Sequence, residues 1–486
     1  MDSRRHLVVC AGLAITAACS GGSGSGGAGS ATSTEPPIES RTTTTSGVSA
    51  DEPSGELFSP TDVAPTGVDD GRDGDPAAAL YDQDAVHTFD LVVEPDDLAF
   101  LDADPAAEEY VDGFLEFGGD TYGPIGIRYK GSFGSFVGCV DELDAPDRPR
   151  GEKTCPKLSL KLKFDGDYDV DFFDVRKVQL HAQNLDPTMM HERLGYAMFR
   201  DFDVPAPRST HARVTMNGEL LGLFALTEQI DEAFLAHAFD DASGNLFKEA
   251  WPVSGDEPRG ADYFDRRLRT NEDDPLPFDP IEDLGSALTR SSDGTVLDEI
   301  DPFLDVDGWF RYLVVDRAIG HDDGPLRFDC PGTLCANKNF YLYQEPPTGE
   351  ISIVAWDLDV AFATLTDDPT RREQLVLEIA DVWNEAGNGC EPFAHGPADL
   401  VQRSPACDPL IAAFAEDPER YEDLRGDFLA GPYSAASIDA LLDRWSTQIE
   451  PFVAEAAALD ADAISVEDWY AEVEALRSDI AAERTR

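Results

Sequence analysis

One stretch, Asp305–Phe362, constrains the fold more than any other part of this chain. In its first part, Asp305–Gly320, apolar side chains recur at helical spacing, so we predict a buried helix. A polar loop, His321–Gly324, follows the helix. Two predicted strands, Lys338–Tyr343 and Ile351–Ala355, are then joined by a turn that contains Pro and Gly. The stretch therefore predicts a helix followed by a hairpin, with polar residues where these elements begin and end.

The polar residues of this stretch have the chemistry of a cation site. The loop after the helix carries Asp322 and Asp323, Asn339 enters the first strand, and Asp357 and Asp359 leave the second. Hard cations take oxygen ligands, and Mg²⁺ is usually held by one or two carboxylates together with substrate phosphates. We therefore predict that these segments meet around a divalent cation.

Lysine is rare in this acidic chain, and its distribution is uneven. The sequence has 96 Asp and Glu residues but only eight Lys, and all eight lie between Lys130 and Lys338. Polar and apolar residues alternate in one segment, so that its polar side chains share a face of a predicted strand: Lys157, Ser159, Lys161 and Lys163. A solvent-exposed face is the ordinary explanation for alternating lysines. Three of the eight on one face favour a row that binds an anionic substrate.

Two further cations, Arg128 and Lys130, precede a Gly/Ser-rich turn. In the run Gly131–Ser135 the backbone N–H groups could lie over phosphate groups. The run lacks the spacing of a dinucleotide-binding loop, so a plain turn is the alternative interpretation.

The net charge argues against one class of partner. At a formal charge of −59, nucleic-acid binding through a general electrostatic footprint is not expected, because that mechanism needs clustered Lys and Arg. An acidic proteome or a salty habitat is the ordinary explanation for such a charge, which also keeps a chain soluble through self-repulsion.

The N-terminus has the pattern of an export signal. Arg4, Arg5 and His6 precede a short apolar run, Leu7–Ala18, which is too short to span a bilayer. The run ends in Thr-Ala-Ala-Cys, which resembles a bacterial lipobox with Cys19 as the lipidated residue. We predict a signal peptide over 1–18 and an extracytoplasmic protein whose contact with the membrane is this lipid anchor. Plain secretion is the alternative.

Six cysteines remain after this segment, an even number that favours disulfide bonds in an exported chain. Neighbours in sequence would pair as Cys139–Cys155, Cys330–Cys335 and Cys390–Cys407. Six cysteines allow 15 connectivities, so this pairing is one of several. The spacing of zinc-binding cysteines is absent, and structural cross-links are favoured over a metal site.

The remaining sequence divides into a tether and a folded domain. Residues 19–77 are rich in Gly, Ser, Thr and Pro and cannot bury enough apolar surface to fold, so we predict a disordered tether. The domain covers 78–486, with a helical part over about 410–486 in which helices are predicted over Leu410–Leu429, Ser437–Leu459 and Ser465–Arg486. A hairpin is predicted around Asn217-Gly218, and the region Trp251–Asp293 is predicted to be irregular.

Several segments of the domain resemble the spore-coat CotH kinase family. They keep the order expected for that family: Pro205–Arg208, Met216–Leu235, Gly244–Lys248, Asn337–Tyr343 and Trp356–Asp359. The resemblance implies an α+β, atypical protein-kinase-like fold with two lobes. Its N-lobe would be rich in antiparallel sheet, its C-lobe helical with extra C-terminal helices, and ATP would bind between them. The implied activity is phosphorylation of protein Ser or Thr that depends on Mg²⁺ or Mn²⁺, with an acceptor protein that the sequence leaves open.

The resemblance also implies catalytic and metal-binding roles for particular residues. By position, Asp323 resembles the catalytic-loop aspartate, although the neighbouring Asp322 is an alternative. Asp357 resembles the metal-binding aspartate, with Asp359 close by. Asn339 occupies the asparagine of the family's Lys-Asn-Tyr-Tyr-Leu-Tyr segment and would complete the metal site.

Four residues would contact the nucleotide if the resemblance holds. Lys161 corresponds to the strand lysine that faces the phosphates, and Arg128 and Lys130 lie beside the glycine turn. Glu228 occupies the position of the family's glutamate at the hairpin exit.

Two other classes of function compete with the kinase hypothesis. ATP is scarce outside the membrane, so an inactive surface module for binding or adhesion is the leading alternative. Glycoside hydrolysis would need two carboxyl groups about 5–9.5 Å apart across a sugar. Asp357 and Asp359 could supply them, but nothing else in the sequence indicates a sugar cleft.

Overall fold

The structure is a computed structural model that describes residues 74–131, 133–136, 138–142, 149–290, 295–330, 334–366, 383–395, 400–460 and 463–486. The predicted signal peptide, Cys19 and the tether up to residue 73 lie outside the described residues. Packing begins just after this point, because Ala77, Leu80 and Tyr81 are already buried.

The strands of the described chain run as follows: β1 (Val86–Val93), β2 (Val111–Phe117), β3 (Asp120–Tyr129), β4 (Val140–Glu142), β5 (Arg150–Lys153), β6 (Leu160–Lys163), β7 (Lys177–His181), β8 (Ser209–Met216), β9 (Glu219–Thr227), β10 (Asn245–Lys248), β11 (Val253–Ser254), β12 (Glu257–Pro258), β13 (Phe328–Asp329), β14 (Phe340–Glu345), β15 (Glu350–Ala355), β16 (Phe393–His395) and β17 (Leu400–Arg403). The helices are α1 (Pro95–Ala103), α2 (His191–Arg200), α3 (Glu232–Ala238), α4 (Ala261–Asp265), α5 (Asp279–Thr289), α6 (Val296–Ile300), α7 (Val306–Ala318), α8 (Pro409–Phe414), α9 (Pro418–Ala430), α10 (Ala435–Leu459) and α11 (Val466–Glu483).

The N-terminal part is a closed barrel with the strand order β1-β2-β3-β6-β7-β9-β8. Every pair in it is antiparallel except β1 and β8, which run parallel. Alternate side chains point into the barrel, as strand geometry requires. Leu160 and Leu162 of β6, with Val178 and Leu180 of β7, are fully buried in its core. The residues between them therefore face away from that core.

The predicted hairpin is confirmed in this barrel. β8 and β9 pair in antiparallel register around Asn217-Gly218, and both turn residues have positive φ, 53° and 82°. Asn and Gly tolerate this left-handed backbone better than other residues, which is why the dipeptide favours two-residue hairpins.

The central stretch of the sequence forms the predicted helix and hairpin. Asp305 caps α7 by accepting the N–H of Gly308 at 2.9 Å. Trp309 of α7 donates its indole N–H to the Ile351 carbonyl of β15 at 3.0 Å, which fixes the helix against the hairpin. β14 and β15 pair with each other, and β10 completes a three-stranded sheet.

The C-terminal part is helical, as predicted, but one helix in it and one earlier segment differ from the sequence predictions. The helix predicted over Leu410–Leu429 is broken into α8 and α9, because Pro418 begins a new helix capped by Asp417. The region Trp251–Asp293, predicted to be irregular, contains α4 and α5. Ile281, Leu284 and Leu288 form the buried stripe of α5.

The α+β prediction, with a sheet-rich N-terminal lobe and a helical C-terminal lobe, is confirmed. The three predicted cysteine pairs are also present: Cys139–Cys155, Cys330–Cys335 and Cys390–Cys407. Among the described residues, the helices do not combine the length and apolar character needed to cross a bilayer.

Candidate active site

A cavity of about 270 Å³ lies between the barrel and the sheet of β10, β14 and β15. Its barrel wall includes Arg128, Lys130, Ser159, Lys161, Gln179 and His181, and the opposite wall includes Lys248, Tyr341, Trp356, Asp357 and Asp359. Cations dominate one wall and two carboxylates lie on the other. Five of the residues predicted for nucleotide or metal binding therefore meet in one place.

Strand pairing explains how two of the cations reach the cavity. Arg128 of β3 and Lys161 of β6 are directly opposite each other in an antiparallel pair. Ile127, Leu160 and Leu162, their neighbours along the strands, are fully buried in the barrel core. The period-two alternation thus turns Arg128 and Lys161 toward the cavity.

The charge on Lys161 is poorly compensated. Arg128 pairs with Glu108 at 2.7 Å, but Lys161 makes no hydrogen bond or ion pair with the residues that the structure describes. Burial, together with the nearby charges of Lys130 and Arg128, lowers the pKa of Lys161 to about 7. Perturbed lysines of this kind are concentrated at functional sites.

Lys130 is held by two acceptors inside the cavity. Its ammonium donates to Gln179 Oε1 at 2.7 Å and lies 2.5 Å from His181 Nε2. Burial lowers its pKa to about 8, although Asp357 and Glu192 act in the opposite direction. The ammonium also lies 5.6 Å from the centre of the Trp356 ring, a cation–π contact across the cavity.

Asp357 and Asp359 follow the end of β15. Asp357 has a φ of 62°, and its backbone N–H donates to the Tyr196 hydroxyl at 3.1 Å. Burial raises the pKa of Asp359 well above its usual range, and the charges of Asp357, Glu192 and Asp323 add to this effect. A cation placed beside the Asp359 carboxylate would stabilise its ionised form and lower this pKa again.

The acidic loop His321–Gly324 contacts Asp357 through the His321 side chain and the Asp357 backbone carbonyl. His321 is fully buried, with Nδ1 at 3.1 Å from Asp316 Oδ1 and Nε2 at 3.3 Å from the Asp357 carbonyl oxygen. Burial of Asp316 opposes ionisation, but Arg317 and His321 outweigh it and lower the pKa of that carboxyl. This network fixes the loop that carries Asp322 and Asp323 against the end of β15.

The structure does not bring Asp322, Asp323 or Asn339 into the lining of the cavity. Asn339 donates its side-chain N–H groups to the Asp323 carbonyl and carboxylate at 2.9 and 3.0 Å, so it holds the loop. Asp323 also pairs with Lys338 at 2.9 Å. The Asp322 carboxylate instead accepts the Thr364 hydroxyl.

No ready-made metal site is formed by three or more His, Cys, Asp or Glu residues within the described ranges. The predicted metal set of Asp357, Asp359 and Asn339 is therefore brought together only in part, as two carboxylates. Mg²⁺ commonly uses only one or two carboxylates when substrate phosphates supply further oxygens, so this pair fits such an ion.

Glu228 lies outside the cavity. Its carboxylate accepts two hydrogen bonds from the Arg208 side chain, at 2.7 and 3.2 Å, and lies 2.8 Å from His237 Nε2. Burial opposes ionisation, but His237 and Arg208 outweigh it and lower the pKa of Glu228 to about 2. In place of the expected contact with nucleotide, the structure gives Glu228 a buried ion pair.

The predicted row of lysines diverges before it reaches the cavity. β6 begins only at Leu160, and the Lys157 ammonium donates to the Leu223 carbonyl outside the cavity. Lys163 lies over the Tyr110 ring at 5.8 Å. From this row only Ser159 and Lys161 line the cavity.

Several lining residues were absent from the sequence predictions: Gln179, His181, Lys248, Tyr341 and Trp356. The alternation in β7 could have indicated that Gln179 and His181 line the cavity. Val178 and Leu180 alternate with them along the strand and are buried in the barrel core. Lys248 could have been proposed as a site residue because lysine is rare in this chain. No local pattern distinguishes the two aromatic residues from core positions.

A second cavity of about 670 Å³ adjoins the first and shares Gln229 and Tyr341 with it. It is lined by polar residues from the barrel, from the segment after β9 and from the region of Arg269–Asp274. Lys177 lines it, so four of the eight lysines border the two cavities. The two cavities together could hold a ligand with one strongly anionic end.

Fold and cavity together define an α+β protein with a site suited to an anion and a cation. A model of the family described as "CotH kinase protein" matches residues 127–485. The chain therefore belongs to the CotH kinase protein family, and the resemblance found in the sequence is confirmed.

Curated relatives come from Bacillus subtilis (strain 168). "Inner spore coat protein H" is 23% identical over 203 residues, which cover 39% of this chain and 51% of the relative. "Inner spore coat protein H-like protein" is 22% identical over 218 residues, covering 45% of this chain and 59% of the relative. The chain thus spans about half the length of the curated relatives it matches.

Two solved structures are similar over much of the chain but at low scores. HipA–HipB with operator DNA from Shewanella oneidensis MR-1 aligns with a TM-score of 0.28 and 13% identity, covering 76% of each chain. The Helicobacter pylori proinflammatory kinase CtkA aligns with a TM-score of 0.24 and 12% identity, covering 70% of this chain and 94% of that one.

Proposed function

We propose that this protein transfers the terminal phosphoryl group of ATP to serine or threonine hydroxyls of a protein acceptor outside the cytoplasm. Mg²⁺ or Mn²⁺ is the proposed cofactor. The proposal joins the family assignment to the chemistry of the cavity and to the export pattern of the sequence.

The observation that carries the proposal is the convergence of Lys161 and Asp357 on one cavity from distant parts of the chain. Lys161 lies among Lys130, Arg128 and Lys248 without a counter-ion of its own in the described structure. Such a group of buried cations is unfavourable when the cavity holds only water. A triphosphate would supply the missing negative charge.

The required chemistry is modest, because phosphoryl transfer depends mainly on positioning and electrostatic stabilisation. Arg128, Lys130 and Lys161 would neutralise the phosphate oxygens from the barrel side. Asp357 and Asp359 would hold the divalent cation on the opposite side. When bound, the metal would add charge neutralisation across the phosphates.

Asp323 is the better supported of the two candidate acceptor-orienting carboxylates. It is close enough to Asp359 for its charge to raise the pKa of that carboxyl. Lys338 and Asn339 fix its side chain, while Asp322 is engaged by Thr364. In our proposal Asp323 accepts a hydrogen bond from the incoming hydroxyl group.

The second cavity would hold the nucleoside. It adjoins the cationic cavity at Gln229 and Tyr341, so a ligand can extend from one to the other. Gln229 Oε1 is buried and has no hydrogen-bond partner within the described residues. It is available to accept a hydrogen bond from an amino or hydroxyl group of the nucleoside.

Disulfide bonds support the proposed location. They form and persist mainly in oxidising compartments, and the described part of the chain contains three. Lipid anchoring through Cys19 remains a proposal based on the N-terminal sequence.

The test is incubation of the purified, disulfide-intact chain with [γ-³²P]ATP and Mg²⁺ or Mn²⁺. We expect phosphoserine or phosphothreonine on the chain itself or on an added extracytoplasmic protein. Asp357→Asn should abolish the label. Lys163→Met, which replaces a lysine of β6 that lines neither cavity, should retain it.

A different result would favour the alternative. If the wild-type chain shows no calorimetric affinity for ATP with Mg²⁺, yet still binds cell-wall glycan or a protein partner, the kinase proposal fails. The chain would then be a surface binding module that keeps the family fold.

A further inference from the structure

Three side chains form a connected chain that leads from the cavity into the protein interior. Lys130 Nζ lies 2.5 Å from His181 Nε2, and His181 Nδ1 lies 2.6 and 2.9 Å from the two Glu192 carboxylate oxygens. Glu192 is 1% exposed and also accepts the Thr227 hydroxyl at 3.0 Å. His181 belongs to β7 and Glu192 to the first turn of α2, so these three linked side chains connect the barrel, the helix and the cavity.

Glu192 determines which nitrogen of His181 carries the proton. An ionised carboxylate can only accept hydrogen bonds, so the Nδ1 atom that faces it must be the donor. In the neutral imidazole, Nε2 is then an acceptor, and it faces the Lys130 ammonium. Each hydrogen bond from Lys130 through His181 to Glu192 therefore has one donor and one acceptor.

The consequence is a defined orientation for Lys130. A lysine ammonium has three N–H donors. Gln179 takes one of them at 2.7 Å and His181 takes a second. The third is left for a ligand in the cavity, and the flexible lysine side chain is ordered before that ligand arrives. Without these two acceptors, ordering the lysine side chain on ligand binding would cost rotamer entropy.

We propose that His181 and Glu192 are positioning residues that hold Lys130 so that one N–H points at the phosphates of the bound nucleotide. The proposal rests on the proposed function for the identity of the ligand. Neither residue needs to touch the reacting atoms, because each acts through its neighbour in the chain.

Three substitutions separate positioning from general stability. His181→Phe keeps an aromatic ring but removes the acceptor for Lys130. Glu192→Leu removes the carboxylate, whereas Glu192→Gln keeps an oxygen that can accept from His181 Nδ1. The matched control is His211→Phe: His211 is also fully buried, lies 3.0 Å from Arg193 Nη1 and 2.6 Å from the Met189 carbonyl, and lines neither cavity.

Affinities for ATP with Mg²⁺ and for adenosine are measured on the full chain by calorimetry. His181→Phe and Glu192→Leu should lower the affinity for ATP about 10- to 100-fold, the range expected for loss of a hydrogen bond to a charged group. Adenosine, which lacks phosphates, should bind as before. Glu192→Gln should restore most of the ATP affinity, and His211→Phe should lower thermal stability without changing the ATP-to-adenosine ratio.

A second measurement does not depend on nucleotide binding. Acylation of individual lysines by a small amine-reactive reagent, followed by mass spectrometry, reports how firmly Lys130 is held. His181→Phe and Glu192→Leu should change the labelling rate of Lys130 severalfold and leave that of Lys153 unchanged. Glu192→Gln should resemble the wild type.

The outcomes separate this inference from the proposed function. The proposal that His181 and Glu192 position Lys130 is refuted if Glu192→Gln and Glu192→Leu behave alike in both measurements. It is also refuted if the affinities for ATP and adenosine fall together. If the wild-type chain does not distinguish ATP from adenosine, the proposed function fails. Labelling of Lys130 then decides by itself whether His181 and Glu192 hold that lysine.

Discussion

Replacing Lys161 by methionine tests the electrostatics of the cavity in quantitative terms. Methionine has a similar shape but no charge, and Lys163→Met is the matched control, because Lys163 lies on the same strand and lines neither cavity. Lys161 has a pKa of about 7, lowered from 10.5 first by burial and then by the surrounding cations. A bound triphosphate should raise that pKa again, so nucleotide binding should be accompanied by proton uptake.

The size of the uptake follows from the pKa. At pH 8 a lysine with a pKa near 7 is about nine-tenths uncharged, so recharging it on binding takes up about 0.9 proton. Lys130, with a pKa of about 8, adds a smaller share. Lys161→Met should therefore lower the uptake by about 0.9 proton per nucleotide, whereas Lys163→Met should leave it unchanged.

Calorimetric titration with ATP and Mg²⁺ in buffers of different ionisation enthalpy measures the protons exchanged. The same reasoning predicts that Lys161→Met stabilises the free protein. The full cost of the buried charge, on the order of 5 kcal/mol at 1.36 kcal/mol per pH unit, is present below pH 7. It is relieved as pH rises from about 7 to 10.5, because the unfolded chain then holds a proton that the folded chain has lost. Equal proton uptake by wild type and Lys161→Met would refute the reasoning.

Three further predictions concern the metal, the buried ion pair and a disulfide bond. Asp357→Asn should remove the Mg²⁺-dependent part of ATP affinity, seen by comparing titrations with Mg²⁺ and with EDTA. Glu228→Gln should destabilise the fold by about 3–5 kcal/mol at pH 7, the usual cost of breaking a buried ion pair. Because the pKa of Glu228 is lowered from 4.5 to about 2, its contribution is complete above pH 4.5 and is lost as pH falls toward 2. Urea unfolding of Glu228→Gln and the wild type at pH 7 and near pH 2 measures this contribution. The ATP affinity of Glu228→Gln should stay within about twofold of that of the wild type. Removing Cys139–Cys155, with its sequence separation of 16 residues, should cost about 3 kcal/mol.

Contrary results would each have a clear meaning. Retained Mg²⁺ dependence in Asp357→Asn would remove that residue from the metal site. A large loss of ATP affinity in Glu228→Gln, with stability unchanged, would return Glu228 to the nucleotide site. Unchanged urea unfolding after loss of Cys139 and Cys155 would show that the surrounding packing fixes this loop without the cross-link.

Features set by local geometry were predictable from the sequence. Alternation along β6 placed Lys161 on the face opposite Leu160 and Leu162, because successive side chains of a strand point to opposite sides. Asn217-Gly218 predicted its hairpin because the turn needs positive φ. The three disulfide pairs joined neighbours in sequence, where only short loops had to close.

Features set by distant partners were not predictable in this way. Glu228 pairs with Arg208, which also binds Asp75 near the start of the folded part, and nothing local to Glu228 signals this. The contact between Lys130 and His181 joins positions 51 residues apart. Lys157 follows the same alternation as Lys161, but the strand begins after it, so its ammonium turns to the Leu223 carbonyl.

Helix α5 shows a different limit. The region around it is rich in Pro and acidic residues, which suggested an irregular segment. Pro280, however, lies in the first turn of the helix, where proline is tolerated because no N–H is needed there. The buried stripe of Ile281, Leu284 and Leu288 then packs into the main core.

The central claim is that one metal–nucleotide complex lies between Lys161 and Asp357. A crystal structure of the chain with Mn²⁺ and a non-hydrolysable ATP analogue tests it most directly, because manganese is located by its anomalous scattering. We predict a manganese peak bonded to a carboxylate oxygen of Asp357 or Asp359, with the phosphates against Lys161 and Lys130. A nucleotide bound elsewhere, or a metal coordinated by neither aspartate, would contradict the account.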